Sequence, residues 1–143
     1  AFSGLLFKMI KYSIIVMFFF VCYSHGETIE EIRKHLKNET DAYRTVCQVK
    51  TQANEQQIDG VLNSSEFLEN EELKCYFDCV LVRTFAFSDN HEFDRDFLID
   101  MLGNTHQDVV DGVITECKST GDSDCDKSYG MLRCALTYIS SKL

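Results

Sequence analysis

The chain has no proline, no low-complexity tract and no internal repeat across its 143 residues. Nothing along it therefore marks a boundary between domains. Catalytic motifs are missing too: there is no Gly-x-Ser-x-Gly elbow, no His-Glu-x-x-His, no P-loop and no Gly-x-Gly-x-x-Gly. Those absences remove the hydrolase, zinc protease, NTPase and dinucleotide-binding designs that such motifs build, so we expect neither an enzyme nor a cofactor. Basic residues are scarce, 14 Lys and Arg against 23 Asp and Glu. A surface of that sign repels nucleic acid phosphates and anionic lipid, which leaves solubility as its reading and excludes nucleic acid as a partner.

A membrane span is also lacking. The one long apolar run, Ser13 to Cys22 behind Met9 and Lys11, falls short of the roughly 20 residues a span needs and suits a signal peptide. Ser24-His25-Gly26 places small residues where a signal peptidase inspects the chain, so cleavage is expected after Gly26, with Ser24 as the alternative. Residues 1–8 are expected to be upstream translated sequence or an incomplete start, 9–26 the signal, and 27–143 a single secreted, extracellular domain. Loss of Lys8 and Lys11 leaves 12 basic against 23 acidic side chains, a net charge of −11. Cys22 leaves with the signal.

What the remainder does have is six cysteines. Between them lie 27 residues from Cys47 to Cys75, three to Cys79, 37 to Cys117, seven to Cys125 and eight to Cys134. An even set behind an export signal reads as three disulfides, and zinc is not expected from cysteines with no second close pair in an oxidising compartment. The periodicity around them is helical almost throughout. Ile29, Ile32, Leu36, Tyr43 and Val46 stripe one long first helix that ends near Cys47, and its stripe is expected to face the interior. A second helix covers Glu55 to Leu62, interrupted by Gly60 and closed by Asn63-Ser64-Ser65. A third, capped by Asn70, runs to about Phe85 and is apolar on nearly every side, which places it at the centre.

Ser88-Asp89-Asn90-His91 reads as a turn, after which Phe93, Phe97, Leu98, Met101 and Leu102 stripe a fourth helix ended by Gly103. Thr105 and Asp108 suit a cap for a fifth, which carries Val109, Val110, Val113, Ile114 and Cys117 and which Gly121 ends. Ser123 or Asp124 caps a sixth. The expected architecture is all-α, a compact bundle of about six helices. Cys75 and Cys79, one turn apart on the third helix, leave the same face, so each must reach a different neighbour. Spacing alone does not choose among the pairings.

A six-helix secreted domain with three residues between its second and third cysteines and eight between its fifth and sixth resembles the insect odorant-binding proteins, the family of pheromone-binding and general odorant-binding proteins. The resemblance covers the whole mature chain; the seven-residue gap between Cys117 and Cys125 sits at the short end of the family pattern. It implies disulfides joining Cys47 with Cys79, Cys75 with Cys125 and Cys117 with Cys134. It further implies an internal apolar pocket for a small hydrophobic ligand, transport through aqueous fluid, a chemosensory receptor as onward partner, and a monomer or weak homodimer without stable membrane insertion. A carrier in haemolymph, saliva or reproductive fluid would share the fold. A saposin-like protein acting on lipid surfaces is the other alternative, but that class opens on two close cysteines and Cys47 stands alone.

Helical spacing nominates the pocket wall: Tyr43, Phe77, Leu81, Phe87 and Phe97, then Met101, Val110, Ile114, Met131 and Tyr138. Tyr43 and Tyr138 offer hydroxyls to a ligand alcohol, ester or carbonyl. His35, His91 and His106 are read as solvated surface groups. Asn38-Glu39-Thr40 and Asn63-Ser64-Ser65 are glycosylation acceptors in principle.

Overall fold

Five of the helices begin where a polar side chain takes up otherwise unpaired backbone N–H groups. In the computed structural model, which describes residues 3–4 and 28–143, Thr28 opens α1 (Ile29–Asp41) with a capping box: its hydroxyl accepts from Glu31 N–H while the Glu31 carboxylate accepts from Thr28 N–H. With a side-chain oxygen that accepts from backbone N–H of the first turn, Asn54 caps α3 (Glu55–Ser64), Asn70 caps α4 (Glu71–Arg83), Asp94 caps α5 (Arg95–Leu102) and Ser123 caps α7 (Asp124–Lys142). The remaining two, α2 (Arg44–Thr51) and α6 (Gln107–Glu116), lack a side-chain cap. Seven helices thus stand among the described residues. The expected signal peptide lies outside them.

The count differs from six because the long first helix is two. Thr40, buried on the inner face, turns its hydroxyl back onto the Leu36 carbonyl at 2.9 Å and the Lys37 carbonyl at 3.2 Å, a bond that competes with the helical ladder. The helix breaks at Ala42–Tyr43, and α2 resumes at Arg44 with Cys47 as its buried residue. The expected stripe is broken with it, since Val46 is 47% exposed. Gly60 does not interrupt α3, which continues to Ser64 and ends on left-handed Ser65.

Helix α4 lies at the centre, as its composition predicts, and packs against α2 and α7; α7 also packs against α6, and α1 meets α3 and α5. It buries Leu73, Tyr76, Phe77, Cys79, Val80 and Leu81 but ends earlier than expected, at Arg83. Phe85, expected inside, takes a positive φ of 58° and is 78% exposed. The turn at Ser88–His91 is the tip of a small hairpin, with Phe87 and Phe93 paired across an antiparallel bridge. Phe93 therefore precedes α5 rather than opening it. Gly103 closes α5 as expected. A single 3-10 turn, Asn104–His106, leads into α6 in place of the expected Thr105 or Asp108 cap, and α6 stops at Glu116 well before Gly121.

Three disulfides tie this arrangement: Cys47–Cys79 joins α2 to α4, Cys75–Cys125 joins α4 to α7, and Cys117–Cys134 joins the end of α6 to α7. The central helix is stapled on two sides, as the same-face argument requires.

Candidate ligand-binding site

The ten nominated residues belong to one continuous apolar core. Phe77, Leu81, Met101, Val110 and Met131 are buried within it, while Tyr43, Phe87, Phe97, Ile114 and Tyr138 are half-buried and packed against it. Their positions follow from the helices. Phe77 and Leu81 are one turn apart on α4, Val110 and Ile114 one turn apart on α6, and Met131 and Tyr138 two turns apart on α7. Phe97 and Met101, one turn apart on α5, also border a cleft of about 480 Å³ whose other walls include His35, Glu39, Thr84, Phe85, Asp94, Asp96 and Asp100.

Two subgroups are visible inside the core. Around Phe77, aromatic rings meet at 5.2 Å with Tyr76 and 6.0 Å with Tyr129, and Tyr129 meets Phe67 at 5.2 Å. Burial pushes the Tyr76 and Tyr129 hydroxyls up to about 12, so both stay neutral, and Tyr129 donates to the Leu68 carbonyl at 2.9 Å. Phe87 packs between Phe93 at 5.3 Å and the His91 ring at 4.8 Å. Tyr138 lies across α6 at Gly112, where a Cβ would stand only 2.0 Å from its hydroxyl oxygen. Only a residue with no side chain permits that approach.

Charge stays at the periphery. Arg44, beside the break between α1 and α2, pairs with Asp59 at 3.0 Å and Glu55 at 3.5 Å. Lys74 bridges Glu69 at 2.8 Å and Asp126 at 3.0 Å, which raises the lysine above its ordinary value. The Lys74 bond, with help from Ser123, holds Asp126 below its ordinary 3.8. Asp126 thus binds fewer protons folded than unfolded, and its contribution is present above the unfolded value and lost as pH falls through the lower folded one. Denaturant midpoints taken from about pH 5 down to about pH 2 should fall less steeply for Asp126→Asn than for the parent.

Sequence reasoning missed a polar chain threaded through this apolar surround. Ser128, fully buried on α7, donates its hydroxyl to Asp78 of α4 and accepts from His91 Nε2 at 3.0 Å. His91 is therefore a structural link from the hairpin to both helices, not a solvated surface group. The serine sits between the other two, the wrong order for nucleophilic catalysis, in which the histidine must bridge the hydroxyl and the carboxylate. The signal was present in the steps of three and four from Ser128 to Met131, Leu132 and Ala135, which place it on the buried face. Ser128→Ala is expected to cost about 1–3 kcal/mol, because it strands Asp78 and frees the hairpin tip. An unchanged urea midpoint would refute that role.

Among the described residues one group could offer three metal-ligand atoms, Glu71, Cys75 and Cys125, but both sulfurs are spent on one disulfide. No helix among those residues is long and apolar enough to cross a membrane.

An all-helical domain, stapled at its central helix by interlocked disulfides around an aromatic core, defines the class of small disulfide-framed helical binding proteins. Within that class the chain belongs to the PBP/GOBP family, whose profile matches residues 29–138. Two solved structures share its fold: odorant binding protein 5 of Apis mellifera, at 23% identity and a TM-score of 0.58 over 76% of this chain and 93% of that one; and an odorant-binding protein of the medfly, at 19% identity and 0.55 over 68% and 85%. Direct sequence comparison with curated proteins finds no significant match.

Proposed function

We propose that this chain is an exported carrier that takes up a small hydrophobic molecule among its helices and moves it through aqueous fluid to a chemosensory receptor. Family membership across residues 29–138 is the observation that carries this reading. The physical case is consistent with it. Binding would proceed by desolvating apolar ligand surface against Phe77, Leu81, Met101, Val110 and Met131, all of which are buried. The disulfides hold α2, α6 and α7 in register with α4 while side chains between them give way to a guest. Half-buried Tyr43, Phe87, Phe97, Ile114 and Tyr138 pack against that core and would cover the guest.

The test is displacement of a fluorescent apolar probe from the oxidised, secreted chain by volatile alcohols, esters, aldehydes and fatty acids. Saturable displacement at micromolar concentrations, abolished by reduction, is expected. No probe binding by a correctly oxidised chain would end the carrier reading. Transcript abundance in antennae against other tissues then separates olfactory from other carriage.

A further inference from the structure

His106 was expected in solvent, yet its Nε2 atom is buried and has no hydrogen-bond partner. Arg33 Nε shares that condition, but the arginine is held by its outer nitrogens, which donate to the Asn63 carbonyl and the Ser65 hydroxyl. The imidazole nitrogen has no such relief. Buried polar atoms left unpaired are costly and rare, so each one calls for a partner.

The position of His106 says where that partner must come from. It ends the 3-10 turn that leads into α6, three and four residues before Val109 and Val110, which are followed by Val113 and Cys117. All four are buried. His106 is itself the half-buried N-cap of α6, so it stands at the N-terminal end of the helix that carries this stripe. Val110 and Ile114, on that helix, are two of the residues nominated for the ligand wall. The nitrogen thus stands at the N-terminal end of the helix that carries two of the nominated residues, and it is a polar atom with no partner in the protein.

We propose that His106 is the polar anchor of the internal site, pairing through Nε2 with an uncharged oxygen, hydroxyl or carbonyl, at the head of an otherwise apolar ligand. A neutral imidazole can donate or accept at Nε2, so alcohols, ketones and aldehydes all satisfy it. This inference rests on the carrier reading.

The experiment compares an alkane, a primary alcohol and a methyl ketone of equal chain length as competitors for the fluorescent probe on the oxidised, secreted chain. The alcohol and ketone should bind about three- to tenfold more tightly than the alkane, the span of one net hydrogen bond. His106→Phe should erase that preference while keeping the alkane, and His106→Gln should retain most of it. The ¹⁵N shift of the His106 ring should move on adding alcohol and stay still on adding alkane, a readout independent of whether the phenylalanine variant folds. Equal affinity for all three competitors, a preference that survives His106→Phe, or an unmoved ¹⁵N shift would each overturn the anchor and leave the carrier reading intact. Failure of any competitor to displace, or of the probe to bind, overturns both.

Discussion

Replacing Cys47 and Cys79 together by alanine should destabilise the fold more than removing either other bridge, by about 1–2 kcal/mol. Two effects compete in setting that order. Chain entropy favours the longest loop: sequence separations of 50, 32 and 17 give about 4.1, 3.7 and 3.1 kcal/mol for Cys75–Cys125, Cys47–Cys79 and Cys117–Cys134. Burial favours another. Cys47 is 0% exposed and Cys79 8%, whereas Cys75 and Cys125 are half-buried. Each buried heavy atom deleted from a packed interior costs about 0.5–1.5 kcal/mol, so two lost sulfurs outweigh an entropic difference of about 0.4 kcal/mol. Guanidinium midpoints of the three double-alanine chains decide it; a lower midpoint for the Cys75/Cys125 pair would mean that the unfolded chain sets the order. A mild reductant should attack Cys75–Cys125 first, because both of its cysteines border an open cleft of about 380 Å³. Peptide mapping of alkylated cysteines reads that order directly.

The features legible in the sequence are those encoded by local chemistry. Caps at Asn70 and Ser123, the stop at Gly103 and the centrality of α4 each depend on a few neighbouring residues, and each is where the sequence places it. The disulfide pairing came only through resemblance to a family, since spacing constrains which cysteines can meet without deciding which do. The break at Ala42 was hidden because a buried threonine reads as a tolerable interruption of a stripe until its hydroxyl is seen bonded to Leu36. Phe85 misled for the opposite reason: apolar composition says nothing about where the chain leaves the helix, and a residue just past that point swings outward. Of the ten nominated residues, five are buried in the apolar core and five pack against it, because periodicity reports which face is inward. It does not nominate His106 or Ser128, because a polar residue on an inward face interrupts the apolar pattern that periodicity follows. Both are found by asking what stands three and four residues from buried apolar positions.

Gly112→Ala is expected to reverse its sign according to what occupies position 138. Alone, alanine in the interior of α6 gains about 0.8–1 kcal/mol of helix propensity over glycine. Its Cβ, however, would lie within 2.7 Å of the Tyr138 hydroxyl oxygen and two of its ring carbons, so the ring must leave its seat. Overpacking of that kind costs about 1–3 kcal/mol, which offsets the propensity gain or exceeds it. In a Tyr138→Ala background the obstruction is gone and only the gain remains, so the same substitution should stabilise by about 1 kcal/mol. A double-mutant cycle on urea midpoints should therefore show a coupling of about 1–3 kcal/mol. Equal effects in both backgrounds would mean that the ring does not rest on the glycine in solution. The same cycle bears on ligand binding. If Tyr138 covers the guest from its place across α6, displacing the ring with Gly112→Ala should weaken the probe about as much as Tyr138→Ala does. The two changes together should then weaken it no further, because both remove the same cover.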